Sequence, residues 1–294
     1  MPLPTFEVPT PLDYFSALVA EDEGFSVLEA AIALSQAEVP GLDAQTVLAD
    51  IDTLAARLAV RLPADAGGLH RLRLLNSYFF QELGFAGNLN DYHDRRNSNL
   101  AEVLRTRRGI PITLALIYIE LATQIGLKAV GVSFPGHFMV KLHLPEGEVV
   151  LDPFSGRSLS RGDLDERLAP YLQQRGLTGD FEVPLPLFLQ AATPRETIAR
   201  MLHNLKAIHH AAGDAPRLLA VLDRLVILLP KAWEERRDRA FVQAELGHAD
   251  RAAEDMAVYL AHRPESASDD GGADVDWLQQ RLAQWQAKAA RPLS

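Results

Sequence analysis

The stretch from Ile112 to Ile125 is apolar at nearly every position, interrupted only by Thr113, Tyr118, Glu120, Thr123 and Gln124. A helix that lies on a protein surface keeps one polar face, and this segment has none to spare, so it must be buried on most sides and the rest of the chain must cover it. Both of its ends are marked. Pro111 suits a first helical turn, where no intrahelical bond needs the missing N–H, and Gly126 is the residue for which a left-handed C-cap costs least. Beyond that glycine, Ala129 to Phe134 and Phe138 to Leu144 are short β-prone runs, and a Pro145-Glu146-Gly147 turn leads into Val149 to Leu151. The expectation is a central helix against an antiparallel hairpin.

Two polar residues of this unit are candidates for chemistry. His137 follows Pro135-Gly136 at the head of one strand, and Asp152 follows Val149-Val150-Leu151 at the end of the next. In thiol hydrolases a nucleophile at a helix start faces a strand histidine, whose tautomer is held by a carboxylate or amide on the neighbouring strand. The spacing suits the last two members, whereas the chain contains no cysteine.

The segments LNDYHDRRNSNLAEVLRTRRGIPITLALIYIELATQIGL, GVSFPGHFMVKL and LDPFSGR resemble the SirB-type bacterial branch of the transglutaminase-like superfamily, over most of residues 25 to 262. The resemblance implies an α+β, mostly helical fold: N-terminal helices, a papain/transglutaminase-like core in which a buried helix meets a small antiparallel sheet, and a C-terminal tetratricopeptide-like helical repeat. In that family pattern the Cys stands at the helix start, about four turns before the glycine that ends the helix. Counting back from Gly126 lands on Pro111, so His137 and Asp152 match a retained pair and Pro111 stands at the nucleophile position. The expected division is 1–87 for the N-terminal helices, 88–193 for the core and 194–294 for the repeat.

Composition narrows the function classes. With 29 basic against 39 acidic residues, the net charge of -10 argues against non-specific nucleic-acid binding and against docking on an anionic membrane. The lack of cysteine excludes disulfides, thiolate metal sites and thiol catalysis together. No uninterrupted apolar run reaches about 18 residues, and Met1 to Thr10 has neither a basic nor an apolar leader region, so a cytoplasmic protein is expected.

Along the rest of the chain, Met1 to Pro11 carries four prolines and reads as an extended arm. Leu28 to Ser35, Val47 to Leu58 with Asp43 as N-cap, and Leu72 to Leu83 have helical spacing. Asn88 to Asn99 is polar and reads as a structured loop, followed by a short helix Leu100 to Arg107 capped by Ser98 or Asn99. Asn97 and Ser98 are either cap and turn residues or members of a cleft near Pro111. Arg107, Arg108 and Gly109 precede the buried helix, either as an anion-binding corner or paired with Asp91, Asp94 or Glu102. Together with Thr113 and Gly136, the residues Asn97, Ser98, Arg108 and Gly109 are the cleft candidates. After Asp152 the chain reads as a loop and a polar helix, then as an irregular stretch from Pro170 to Phe188 with the PLPLF segment as a tether.

From Arg195 the pattern is helical and repeats. Gly213-Asp214-Ala215 and Gly247-His248-Ala249 are offset by 34 residues, with Pro230 and Pro264 and also Leu225 and Tyr259 in register, which is the tetratricopeptide period. Two units fall short of the three a free-standing solenoid needs, so the repeat is expected to pack against the core. The ESASDDGGAD segment reads as an acidic linker, and Val275 to Ala290 as a last amphipathic helix, with Trp285 on its apolar side and Trp277 at the edge sealing the stack. His203, His209 and His210 lack ligand spacing, and neither a metal nor a cofactor is expected.

Three functions are compatible with these features. The first is a non-catalytic transglutaminase-like core joined to a repeat, binding a protein partner in a regulatory role. The second is a hydrolase that keeps His137 as base and uses water or the Thr113 hydroxyl as nucleophile. The third is a metal-assisted hydrolase built on His137, Asp152 and His143.

Overall fold

In a computed structural model the described residues are 9–21, 24–39, 41–177, 183–263 and 272–290. The chain forms two compact units, one of residues 21–201 and one of residues 1–20 with 202–294.

The first unit is built around α6 (Pro111–Gln124), in which Leu114, Ala115, Ile117, Tyr118, Leu121 and Ala122 are wholly buried. Burial on most sides is what a segment this apolar requires, and only Thr123 and Gln124, in its last turn, are exposed. Helices α2 (Val27–Glu38), α3 (Ala44–Ala59), α4 (Gly68–Asn76) and α5 (Leu100–Thr106) pack on it, as do strands β3 (Lys128–Val132) and β4 (Met139–Leu144). At the C-terminal end of α6, Gly126 adopts φ 77°, and the Arg71 guanidinium donates to the Ile125 carbonyl at 2.5 Å. A Cβ on Gly126 would meet only the end of the Arg71 side chain, which can shift, so it is the left-handed conformation that calls for glycine. Midway along the helix the Tyr118 hydroxyl donates to Asn76 Oδ1 at 2.6 Å, and burial holds its phenol well above the usual tyrosine range.

The sheet is antiparallel in the order β3-β4-β5-β6, where β5 is Gly147–Asp152 and β6 Arg157–Leu159. Reading the segment after Asp152 as a loop missed β6, a strand of only three residues. Two further strands, β1 (Ala86–Gly87) and β2 (Arg108–Gly109), form a small parallel pair. The polar segment between them contains a 3-10 turn, Arg95–Ser98, and Asn99 caps α5 by accepting from the Glu102 N–H. After β6, the Ser160/Asp163 capping box opens α7 (Arg161–Gln174). Its helical run continues through Pro170, where the sequence suggested a break. The PLPLF segment is a helical turn, α8 (Leu185–Phe188), and Leu185 joins Val132, Phe134, Met139, Val150, Leu164 and Leu168 in a core cluster. Leu83 ends a π-helical turn, Ser77–Glu82, which continues directly from α4.

In the second unit, Pro11 does not extend an arm but opens α1 (Pro11–Leu18), capped by Thr10. Residues 1–8 of the expected arm and most of the expected acidic linker lie outside the described residues. The repeat consists of α9 (Pro194–Ala212, shared with the first unit), α10 (Ala215–Leu228), α11 (Trp233–Glu245) and α12 (Ala249–His262), followed by α13 (Gly272–Ala289). Gly213 and Gly247, the residues in register, both have positive φ between paired helices. Trp285 packs with Leu282 and Phe241 around buried Ala240, Met256 and Leu278, while Trp277 stacks on Phe241 and stays 45% exposed. Between α10, α11 and α12, Arg239 binds Asp255 through two nitrogens at 2.6 and 2.7 Å and reaches Asp223 at 3.0 Å.

Candidate functional site

The site begins with a turn. In Phe134-Pro135-Gly136-His137 the His137 N–H donates to the Phe134 carbonyl at 3.1 Å, and exposed Gly136 has φ 68°. Proline followed by a left-handed glycine is the pattern of a type II turn, which sets His137 two residues before the first residue of β4. Antiparallel pairing of β4 with β5 runs to the rung Val140–Leu151, and Asp152 follows one residue on. The ring Nε2 of His137 then lies 2.7 Å from Asp152 Oδ1.

Asp152 is a hub. Pro153 has no N–H, so the first backbone donor after the strand is Phe154, which donates to Oδ1 at 2.9 Å. Ser155 Oγ donates to Oδ2 at 2.9 Å, and Arg167 Nη2 from α7 reaches the same oxygen at 3.0 Å. Burial alone would raise the carboxyl's pKa. The bond and charge of His137, with the Phe154 and Ser155 donors, outweigh it and hold Asp152 well below the usual carboxylate range. The side chain of Asp152 is 4% exposed and that of His137 19%, so the imidazole stands between the buried carboxylate and solvent. His137 makes no second side-chain hydrogen bond among the described residues, leaving Nδ1 available to a ligand. An imidazole oriented by an ionised carboxylate is able to accept a proton from a bound group or to donate a hydrogen bond to it.

The polar loop reaches this site through Phe154. Its ring lies over Gly87, where a Cβ would meet it at 2.3 Å, and its carbonyl accepts from the Gly87 N–H. Tyr92, from the loop, sits 5.8 Å from the same ring between centroids.

The cleft candidates separate on burial. Gly136 and Arg108 are exposed, whereas Asn97, Ser98, Gly109 and Thr113 are buried, and of the two readings of Asn97 and Ser98 burial favours turn residues over members of an open cleft. The Asn97 amide donates to the Asp91 and Tyr92 carbonyls and accepts from Asn88, shaping the loop. Thr113 Oγ1 lies 2.8 Å from the Asn97 carbonyl and 3.0 Å from that of Ile110, fastening the loop to the start of α6. A Cβ on Gly109 would fall 2.8 Å from that hydroxyl. Ser98 Oγ is buried without a partner. Pro111 is buried at the first position of α6. Neither Arg107 nor Arg108 pairs with Asp91, Asp94 or Glu102. Arg108 donates to the Gly84 and Arg107 carbonyls, and Arg107 lies over the Phe85 ring. Arg96 and Arg105 are the residues that pair with Asp94 and Glu102.

The triad of metal-ligand candidates does not form. His143 pairs across the sheet with Glu148 at 3.0 Å, away from Asp152, and no group of three His, Cys, Asp or Glu among the described residues is arranged to hold a metal. His203, which the spacing left without an acidic partner, has Glu235 of α11 at 3.0 Å, a contact between distant parts of the chain that spacing along one helix does not reveal.

Two arginines at the site were not apparent in the sequence. Arg167 sits in a polar helix and reads as solvated. Arg200 falls in the helical run assigned to the repeat, yet its Nη1 donates to Ser133 Oγ at 2.9 Å and to the Phe134 carbonyl at 3.0 Å, the same oxygen that accepts from His137 N–H. Burial lowers the Arg200 pKa, and no carboxylate among the described residues pairs with it.

Comparison with known proteins agrees with this architecture. The family described as "Transglutaminase-like superfamily" matches residues 45–203, and "Tetratricopeptide repeat" matches residues 205–283. A UPF0162 protein of Xylella fastidiosa (strain 9a5c) is 34% identical over 91% of this chain and 95% of its own length. A UPF0162 protein of Pseudomonas aeruginosa is 29% identical over 81% of this chain and 86% of its own length. The protein SirB1 of Salmonella typhimurium is 27% identical over 66% of this chain and 71% of its own length. With a transglutaminase-like core followed by a tetratricopeptide repeat, and with UPF0162 and SirB1 proteins as relatives, the chain belongs to the SirB-type branch of the transglutaminase-like superfamily.

Proposed function

We propose that the protein is a non-catalytic member of this superfamily, a cytoplasmic binding module whose tetratricopeptide region engages a protein partner in a regulatory role. The observation that carries this reading is the pairing of an intact His137–Asp152 hydrogen bond with a helix start that offers no nucleophile. Pro111 stands there, the sequence has no cysteine, and the nearest hydroxyl along α6, that of Thr113, is engaged with two backbone carbonyls. The exposed Trp277 on the terminal helix supports a role for the repeat in protein contact, since aromatic side chains are enriched at interfaces. No helix among the described residues is long and apolar enough to cross a membrane.

A second reading is favoured by one feature, the free Nδ1 of His137: a hydrolase in which the imidazole activates water. Purified protein assayed against esters, thioesters and amides separates the two. The first reading expects no turnover that His137→Ala abolishes. Turnover lost in that variant while its Tm stays unchanged would establish the second and overturn the first.

A further inference from the structure

Helices α3 and α5 each pack on α2 and α6 but scarcely on one another, and the hollow left between them has a volume of about 350 Å³. That is within the range of small-molecule sites. Its walls carry Arg57 and Thr53 from α3, Arg105 and Arg107 from the end of α5, the apolar Leu54 and Leu104, and a single carboxylate, Asp50. Three guanidinium groups against one carboxylate is an inverted balance in a chain with 29 basic and 39 acidic residues. Arg105 pairs with Glu102 at 2.7 Å, whereas Arg57 and Arg107 pair with no carboxylate among the described residues.

Arg107 is the unusual member. It is the only non-glycine residue with positive φ, 60°, among those described, a conformation that costs about 1 kcal/mol or more in an L-residue. Its guanidinium lies 4.6 Å above the Phe85 ring, Nη1 is buried with no acceptor, and burial lowers its pKa. The Tyr78 hydroxyl and the Asp50 carboxylate are both close enough to act on the charge of Arg107, and that hydroxyl is likewise buried without a partner. Arg57 and Arg105 stand in last helical turns, where cations complement the carbonyl ends. That role does not account for a strained, desolvated Arg107. An anion does, because the folded chain already holds this half-buried guanidinium in place over Phe85, so an oxyanion entering the hollow gains a charge-assisted bond at little reorganisation cost.

We propose that this hollow is a binding site for a small phosphate monoester, its phosphate held by Arg57 and Arg107 with the Thr53 hydroxyl as a neutral donor and its carbon portion against Leu54 and Leu104. The site is separate from His137 and does not depend on whether the core is catalytic.

The test titrates the full-length protein with inorganic phosphate, sulfate, glycerol phosphate and sodium chloride at equal ionic strength, following Tm and binding heat. Phosphate and sulfate are expected to raise Tm saturably, by about 3–5 °C at ten times the dissociation constant, and chloride is not. Glycerol phosphate is expected to bind more tightly than inorganic phosphate, and equal affinities would overturn the monoester assignment. Arg57→Gln and Arg107→Met should each weaken binding at least tenfold. If Arg107→Met does not fold, Arg57→Gln decides alone, because Arg57 is exposed and holds no other group. A shift matched by chloride, or saturable binding unchanged in Arg57→Gln, would overturn the proposal.

Discussion

Replacing Asp152 with alanine removes an acceptor on which four donors converge: the His137 ring, the Phe154 N–H, the Ser155 hydroxyl and the Arg167 guanidinium, at 2.7 to 3.0 Å. A buried donor left without an acceptor costs about 1–3 kcal/mol. His137 and Arg167 have 19% and 37% of their side chains exposed and Ser155 is exposed as well, so these three can turn to water and the full cost falls on the Phe154 N–H. The expected loss is about 1–3 kcal/mol, or a fall in Tm of about 3–9 °C for a unit of this size. The pH dependence follows from the depressed pKa of the carboxyl. Its stabilisation is complete above the unfolded value of about 3.9, and it is lost as pH falls below that and through the folded value. Wild-type protein should therefore lose stability between about pH 4 and 2 more steeply than the variant. Urea titrations at several pH values measure both effects. A variant as stable as wild type at pH 7, with the same acid slope, would refute the assignment of Asp152 as the hub that holds the His137 turn and the Phe154 loop together.

Other parts of the structure give further expectations. Thr113→Val keeps the shape and removes the hydroxyl that bridges the loop to α6, and should cost about 1–2 kcal/mol in a urea titration. Gly87→Ala puts a methyl group against the Phe154 ring and should cost about 1–3 kcal/mol, with a changed environment for nearby Tyr92 seen in near-ultraviolet circular dichroism. In the repeat, Arg239→Met leaves Asp255 buried with only Arg236 at 3.5 Å and should destabilise by about 3 kcal/mol, measured by thermal unfolding.

Much of this fold is written in local chemistry. An apolar run bounded by Pro111 and Gly126 has one stable solution, a buried helix, and Pro135-Gly136 before His137 specifies its turn. The repeat was legible because two glycines and their neighbours recur at a fixed offset. What escaped depends on distant partners. Strand β6 exists because β5 offers an edge, and Leu185 is helical and buried because a core cluster receives it. The proline in α7 is tolerated where its sequence suggests a break. At the site, the meeting of His137 and Asp152 follows from strand register, but the arginines that complete it come from α7 and α9 and read as ordinary surface charges. Asn97 and Thr113 are polar residues whose partners are backbone carbonyls elsewhere in the chain, which no motif marks.

Central to the proposed function is Pro111 standing where a nucleophile would face the His137–Asp152 pair. The most direct measurement is the titration of a thiol placed there, in a chain that otherwise has none. Pro111→Cys retains a residue type compatible with the first helical turn, and the thiolate is followed by its ultraviolet absorbance, which needs no reagent to enter a buried position. The helix N-terminus and the His137 imidazole both favour the anion, so the pKa should fall at least one unit below the usual value of about 8.5, and His137→Ala should raise it again. A thiol that titrates at or above about 8.5 and is indifferent to His137→Ala would contradict the account.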